Sequence, residues 1–500
     1  MGKDIIVNAT AEEKRVAILD NGRLEKFYVE RTITRRLVNS IYKGRVESIM
    51  PGIGAAFVNI GLEKNGFLYV DDVIGEGSPP SDIVQEEMGG SFKKREKSEP
   101  PRKISEVLRK GQELLVQVVK EPIGTKGVRL TAHITLPGRY LVFMAQGKQR
   151  GMSRKITDQK ERKRLKSIID QWNLPQNVGI IVRTAAVNHT KDELKREMVG
   201  LYNLYRQIEK RALKTSAPTL IHEEYDLIQR IARDNFTEDV TSMVIDSKSE
   251  YKKTLGFLRM ISPKLSSKVK LYKGQMPIFE RFNIANDIEK IYERKVFLPS
   301  KGYIVIEPTE GLVVIDVNTG RFSGKNPEDT AFIVNKEAAL EITRQLKLRD
   351  MGGIIVIDFI DMECKEHGNI VFEILLDALK NDKAKTKVLN FSSIGLVEMT
   401  RQRMRKSLEG VSYQHCPYCS GRGIVKSVLT MSIAIIRQLE KRLMSERYKK
   451  VELIVNSHLK EYLLQNYKAT LDLLGRRARC SITVVEEPYL HIEDFRINLK

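Results

Sequence analysis

Two short apolar runs, each ending on an aspartate, constrain this chain more than any other feature. The first is GLVVIDVNTG, in which Leu312 to Ile315 lead to Asp316; the second is GGIIVIDFIDM, in which Ile354 to Ile357 lead to Asp358. Runs of this length, rich in β-branched residues and bounded by glycine, read as buried strands, better as parallel core strands than as half-exposed ones. The segment between them places Ala331, Val334, Ala338, Ile342 and Leu346 on one helical face and closes with Lys347, Arg349 and the Gly352-Gly353 pair, the pattern of a helix that stops. Strand, helix, strand makes a βαβ unit with a right-handed crossover. Asp316 and Asp358 are therefore expected at the carboxyl edge of one sheet, where open α/β sheets keep their sites. Two carboxylates brought together repel unless a proton or a cation sits between them. Mg²⁺ is the expected ion, because it takes oxygen ligands from one or two carboxylates plus substrate phosphates. Asn318, two residues past Asp316, faces the same side and is expected to orient a ligand or a water. The plainer alternative is that each aspartate caps the turn after its strand.

Composition narrows the setting. A chain of 500 residues is too long for one ordinary core, so three or more folding units are expected. No apolar run approaches a membrane span, and MGKDIIVNAT lacks a signal-peptide pattern. The 85 basic residues outnumber 64 acidic ones, a net charge of +21. That excess favours a polyanionic partner, nucleic acid before membrane, because no basic amphipathic anchor accompanies it. Four cysteines (Cys364, Cys416, Cys419, Cys480) in so long a chain argue against a disulfide framework and for a reducing, cytoplasmic setting.

Along the chain, residues 1–38 alternate apolar and polar positions like a small antiparallel meander. From Asn39, IYKGRVESIMPGIGAAFVNIGLEKNGFLYVDDV reads as short strands of a small barrel. Phe57, Phe67 and Tyr69 fall on its strands with Lys43, Arg45 and Lys64 interleaved, a combination that suits single-stranded nucleic acid, with bases stacking on rings and cations following phosphates; each aromatic taken singly is an ordinary core residue. YKGRV, PGIGAAFVNIG and NGFLYVDD together resemble the S1-type OB-fold of ribosomal RNA-binding domains. Residues 75–103 are polar and Pro/Gly-rich, the composition of a mobile loop. ELLVQVVKEP and KGVRLTAHI then resume the barrel, with Lys126 in the turn between them, placed for a phosphate. Further on, Gly138 in a Pro-Gly turn and Arg183-Thr184 at the end of a strand suggest a grip for a terminal phosphate. Lys385, Arg401, Arg403 and Arg405 are further cations that RNA could meet.

YQHCPYCSGRG gives Cys416 and Cys419 the C-x-x-C spacing of a zinc knuckle. A structural zinc wants four ligands, and His415, Cys364 and Cys480 are poorly spaced to complete the set. Two chains each donating one pair would solve this, making metal binding and self-association one event; a redox pair is the competing reading. The last 75 residues alternate helix and strand as a small α/β domain suited to oligomerisation.

The order of these parts (the aromatic barrel, IVRTA, the paired GLVVIDVNTG and GGIIVIDFIDM, GLVEMTRQRM and CPYCSGRG) resembles the ribonuclease E/G family of bacterial endoribonucleases from the amino terminus to about Val425. In length and layout the chain is similar to the ribonuclease G branch, and without a long scaffold tail a degradosome role is not expected. The resemblance implies a multidomain α/β and α+β fold: a non-catalytic RNase H-like unit from 1–38 and 223–290, an inserted OB-fold barrel at 39–130 and a 5′-sensor region at 131–222. A DNase I-like catalytic domain at 291–412, a zinc-link at 413–424 and a small domain at 425–500 would follow. It further implies that Asp316 and Asp358 bind Mg²⁺ with Asn318 in support, that Phe57, Phe67 and Lys126 hold single-stranded RNA, and that Gly138, Val142, Arg183 and Thr184 line a 5′-monophosphate pocket. Lys385 stands where better-known members carry an arginine of that pocket; lysine keeps the charge but loses the bidentate fork, so a weaker monophosphate preference is expected. Cys416 and Cys419 would share one Zn²⁺ with a second protomer, in a dimer or tetramer. The expected activity is Mg²⁺-dependent endonucleolytic hydrolysis of A/U-rich single-stranded RNA, in ribosomal RNA precursors and messenger RNA, leaving 5′-phosphate and 3′-hydroxyl ends. A non-catalytic RNA-binding or ribosome-associated protein and an exonuclease are the rival readings.

Overall fold

The computed structural model describes residues 2–32, 37–74, 103–122, 127–145, 147, 150–172, 174–175, 178–309, 311–380, 382, 384–403, 412–414, 416–445 and 448–500. Lys126, Arg405, His415 and nearly all of the 75–103 segment lie outside the described residues. Two compact units are present, Met1–Val411 and Ser412–Lys500. Among the described residues, no helix is long and apolar enough to cross a membrane.

In the larger unit, strands Lys3–Ala9, Glu13–Asp20 and Arg23–Arg31 form the antiparallel meander, and Val240–Ile245 joins it in parallel beside Lys3–Ala9, with Val269–Leu271 at the edge. Chain segments more than two hundred residues apart thus share one sheet. Helices Leu227–Asp234 and Lys248–Ile261 cover one face through Ile231, Ala232, Phe257 and Leu258. On the other face, Phe27, Phe279 and Ile284 pack together with Leu348, the last residue of the helix between the two aspartate strands.

The chain between these halves makes two further sheets. Strands Ile41–Met50, Ala55–Asn59, Gly66–Tyr69, Arg129–Thr131 and Glu113–Lys120 close into a five-stranded barrel, because the last pairs back onto the first. Val46, Ala56, Val58, Leu68, Val116, Val118 and Leu130 fill it. A four-stranded sheet in the order Arg150–Met152, Gly179–Val182, Leu141–Met144, Thr135–Pro137 follows, packed on helices Gln159–Asp170 and Lys191–Lys214.

The aspartate strands lie in a mixed six-stranded sheet ordered Lys295–Phe297, Tyr303–Pro308, Leu312–Asn318, Gly353–Asp358, Leu396–Arg401, Thr386–Val388. Only the central pair is parallel. Its crossover helix, Pro327–Leu348, starts where the sequence chemistry says it should: Asn326 accepts from the Asp329 N–H, proline occupies the first turn, and Glu328 and Asp329 meet the positive end of the helix dipole. Ala331 is buried, and Val334, Ala338, Ile342 and Leu346 share one core with Ile315, Ile355 and Ile357, each large side chain contributing about 1.5–3 kcal/mol of burial. Helix Lys365–Leu379 covers the same face through Val371 and Leu375.

One expectation fails here. The apolar runs are not buried on both faces: burial alternates along both strands, with Val314 37% and Ile354 52% exposed. Both covering helices pack through the buried set, so β-branched residues occupy the open face as well.

The smaller unit has a three-stranded sheet, Ser481–Glu486, Lys450–Val455 and Phe495–Leu499, with helices Val428–Ser445, Ser457–Asn466 and Lys468–Ala478. Ile435, Leu439, Val451, Leu453, Leu459 and Leu463 form its core.

Candidate active site

Side chains alternate along a strand, so burying Ile315 and Ile357 under the helices turns Asp316 and Asp358 to the open face. In the parallel ladder Asp316 is the register partner of Asp358, which ends its strand. Both carboxylates are thus delivered to the carboxyl end of the pair. Asn318 Nδ2 donates to Asp316 Oδ2 at 2.8 Å, fixing that carboxylate from two residues along the same strand. The amide is itself opposite Tyr303, whose ring Lys295 Nζ approaches to 3.4 Å. Burial pushes the Asp358 carboxyl above the ordinary carboxylate value, and the charges of Asp316 and then Asp361 push it further. Asp361, in the loop after the strand, is a member of the acidic group that the sequence reading did not single out. The signal for it is V-I-D-F-I-D at 356–361, where I-D recurs three residues after Asp358.

On the barrel, Phe57 and Phe67 are register partners with ring centroids 5.3 Å apart, and Phe67 lies 4.6 Å from Tyr69, both edge-on. None of the three belongs to the barrel core. The Arg129 guanidinium sits over the Tyr69 ring at 5.2 Å while bonding Asp72. Lys64 is exposed. Lys43 and Arg45 do not interleave with these rings: each reaches Glu113 at 3.0 Å, and they bond the carbonyls of Thr215 and Ala217. Those two cations hold the Glu113 carboxyl down at about 2.

Gly138 and Arg183 come together, the Arg183 guanidinium donating to the Gly138 carbonyl at 2.6 Å and to Asp234 at 2.7 Å. Arg183 is therefore a buried, charge-balanced residue and not a surface one. Asp234 also bonds Arg233, which in turn bonds Glu224. Burial disfavours the Asp234 charge, but Arg233 and Arg183 outweigh it and hold the carboxyl well below its ordinary range. The Gly138 turn is fixed from the other side by Glu197, whose carboxylate accepts the N–H groups of Arg139, Tyr140 and Leu141. A side chain at Gly138 would meet Glu197 at 2.7 Å, so only glycine fits. The Thr184 hydroxyl bonds Ser153 at 3.0 Å. Val142 is fully buried in the sheet, beneath this turn. Lys385 is exposed just before strand Thr386–Val388 of the aspartate sheet, whereas Arg183 follows strand Gly179–Val182 of the four-stranded sheet. Arg401, expected to meet RNA, is instead buried against Asp382 at 2.7 Å and Asp350 at 3.3 Å. Arg403 is exposed and donates to the Gly352 carbonyl.

In the smaller unit, Cys416 is exposed and Cys419 half-buried. The Gly423 N–H donates to Cys419 Sγ at 3.2 Å. That bond, followed by those from Gly421 and Cys416, holds the Cys419 thiol below its ordinary value, and positive φ at Gly421 and Gly423 makes the tight turn possible.

Comparison with known proteins gives the same picture at the level of the whole chain. A profile described as the Ribonuclease E/G family matches residues 135–404, and one described as the RNase E/G thioredoxin-like domain matches residues 415–500. The chain is 42% identical over 440 residues to Ribonuclease G of Escherichia coli strain K12, covering 88% of each protein. It is 42% identical over 437 residues to Ribonuclease G of Haemophilus influenzae, 87% of each. Against Ribonuclease E of Escherichia coli strain K12 it is 37% identical over 500 residues, 98% of this chain and 46% of that one.

Proposed function

This chain belongs to the ribonuclease E/G family, and on that premise we propose that it is a Mg²⁺-dependent endoribonuclease acting on A/U-rich single-stranded RNA at the Asp316–Asp358 pair. The observation that carries the reading is the register partnership of the two aspartates on an open sheet face, with Asn318 bonded to one of them. The donor set suits the ion: carboxylate and amide oxygens only, with Asp358 raised by burial first and then by the charges of Asp316 and Asp361. Asp316 and Asp358 would hold the Mg²⁺. When bound, the ion supplies Lewis-acid polarisation of the phosphodiester and a more acidic water, chemistry that leaves 5′-phosphate and 3′-hydroxyl ends.

The protein's own groups do the rest. Asn318 keeps Asp316 in one orientation. The Phe57–Phe67–Tyr69 ladder offers stacking faces to unpaired bases, and Lys126 would meet the phosphates. Stacking of this kind requires unpaired bases, which is the physical basis of single-strand preference. A 5′-monophosphate would be met at the Gly138 turn by Thr184 and Arg183, with Val142 shaping the floor; Lys385 stands apart, beside the sheet of the aspartate pair, and would reach the phosphate only from there. Arg183 already neutralises Asp234, and Lys385 lacks a bidentate fork, so the stimulation by a 5′-monophosphate is modest.

The meander with its parallel partners (1–38 with 223–290) corresponds to the RNase H-like scaffold, 39–130 to the S1-type OB-fold barrel, 131–222 to the sensor and 291–412 to the DNase I-like catalytic domain. Residues 413–424 form a zinc-link in which Cys416 and Cys419 meet a second protomer's pair around one Zn²⁺, and residues 425–500 assist self-association. Ribosomal RNA precursors and messenger RNA in the cytoplasm are the substrates.

The test is cleavage of one A/U-rich oligonucleotide with Mg²⁺, carrying either a 5′-monophosphate or a 5′-hydroxyl, with the product ends mapped. Internal cuts, a little faster on the monophosphate, are expected. Equal rates would remove the sensor and keep the nuclease; binding with no cuts would favour a non-catalytic RNA-binding protein.

A further inference from the structure

Cys364 and His367 stand three residues apart at the start of helix Lys365–Leu379, Cys364 as its N-cap and His367 in its first turn. Glu328, from the first turn of the crossover helix, meets them there. One ligand atom from each of Glu328, Cys364 and His367 lies within 4.8 Å of the other two. His367 Nδ1 is 2.6 Å from Glu328 Oε1. The carboxylate is oriented by the N–H groups of Glu363 at 2.8 Å and Cys364 at 3.3 Å, which, with His367, also hold it ionised below its ordinary range. The His367 ring is stacked on Phe332 at 4.1 Å and 16°, so it too has a fixed orientation. Cys364 Sγ, whose present acceptor is Glu366 at 3.1 Å, is the member for which a simple helix-to-helix tether has no use.

We propose that Glu328, Cys364 and His367 form a site for a thiophilic transition ion, Zn²⁺ in the first instance, distinct from the carboxylate pair and from the Cys416–Cys419 knuckle. A thiolate, an imidazole and a carboxylate are the donors such an ion selects and Mg²⁺ does not. Three protein ligands leave the fourth tetrahedral position to water. On binding, the Cys364 thiol would release its proton, and the proton between His367 and Glu328 would leave from an imidazolium or move to Nε2 of a neutral ring. The backbone donors to Glu328 supply the outer shell that such ligands need. The loop clamped this way is residues 359–363, which joins Asp358 to the site and carries Asp361; an occupied site therefore braces the acidic loop against the crossover helix.

Cobalt(II) reports the site directly, since a cobalt–thiolate bond gives an intense near-ultraviolet absorption. The wild-type chain should bind one more equivalent of Co²⁺ with that absorption than Cys364→Ser does, and excess Mg²⁺ should not displace it. A Cys416→Ser/Cys419→Ser variant should keep one such equivalent per chain, and adding Cys364→Ser should remove it. Glu328→Gln should weaken binding by about 10–100-fold. The proposal is overturned if Cys364→Ser, shown folded by circular dichroism, binds the same number of cobalt ions with the same spectrum as wild type. None of these readouts depends on RNA cleavage.

Discussion

Asp316 and Asp358 are register partners across the only parallel pair of their sheet, and Asn318 holds one of them. Burial first, and then the charges of Asp316 and Asp361, raise the Asp358 carboxyl and make its ionised, metal-free form locally unfavourable. The sign follows from linkage. A carboxyl raised in the folded state costs stability once the pH has risen through its folded value, and that cost is absent below the ordinary carboxylate range. Asp358→Asn is therefore expected to melt slightly higher than wild type at neutral pH without Mg²⁺, a gain kept small by solvent at this exposed position, and to lose the further rise that Mg²⁺ gives the wild type. Melting curves with and without the ion check both. For the same reason, Mg²⁺ affinity of the wild type should fall as pH is lowered toward the raised Asp358 value.

Asn318 acts through Asp316. Asn318→Ala should lower kcat by about 10–100-fold while leaving RNA affinity near wild type, and Asn318→Asp should behave differently because it adds a third charge to the strand. Single-turnover cleavage alongside anisotropy binding separates the two effects.

The aromatic ladder should govern binding more than turnover. Phe57→Ala is expected to weaken single-stranded RNA by ~1–3 kcal/mol, appearing in KM with kcat little changed. Phe67 packs against both Phe57 and Tyr69, so its removal should also cost thermal stability, which Phe57→Ala should do to a smaller extent. Fluorescence anisotropy with a short A/U-rich strand measures the first effect and calorimetry the second.

Asp234 balances Arg183 and Arg233 inside the protein. Asp234→Asn removes the carboxylate charge that these two buried cations share and should cost about 3–5 kcal/mol in urea unfolding. Since its carboxyl is held well below the ordinary value, the stability it contributes is fully present above the unfolded carboxylate range and is lost only in stronger acid, as pH falls through the folded value.

Removing the knuckle thiols should couple metal to assembly. Cys416→Ser/Cys419→Ser is expected to lose zinc and to shift the particle to a smaller size by light scattering, with the core of the larger unit intact. Loss of zinc at unchanged size would place self-association elsewhere.

Much of this architecture was legible because it is local. The repeated V-I-D ending, the helical face from Ala331 to Leu346 and the Asn326-Pro327 start fix strand, helix and strand within one continuous stretch. What the sequence hid was long-range. Val314 and Ile354 look the same as their buried neighbours, yet face outward because both covering helices pack on the other side. Arg183 reads as a cation for a terminal phosphate, and only the fold brings Asp234, fifty-one residues on, against it; Lys43 and Arg45 are claimed by Glu113 in the same way, and Arg401 by Asp382. Cys364 is poorly spaced for the knuckle but stands three residues before His367; Glu328 is brought to them only by the packing of two helices.

The most direct test of the catalytic reading is cleavage of a circular single-stranded A/U-rich RNA with Mg²⁺ by wild type, Asp316→Asn and Asp358→Asn, with RNA binding measured in parallel. Wild type should linearise the circle, and each variant should bind normally but cut slower by roughly 10²-fold or more. Cutting of the circle by Asp358→Asn at the wild-type rate would contradict the assignment of the aspartate pair as the catalytic centre.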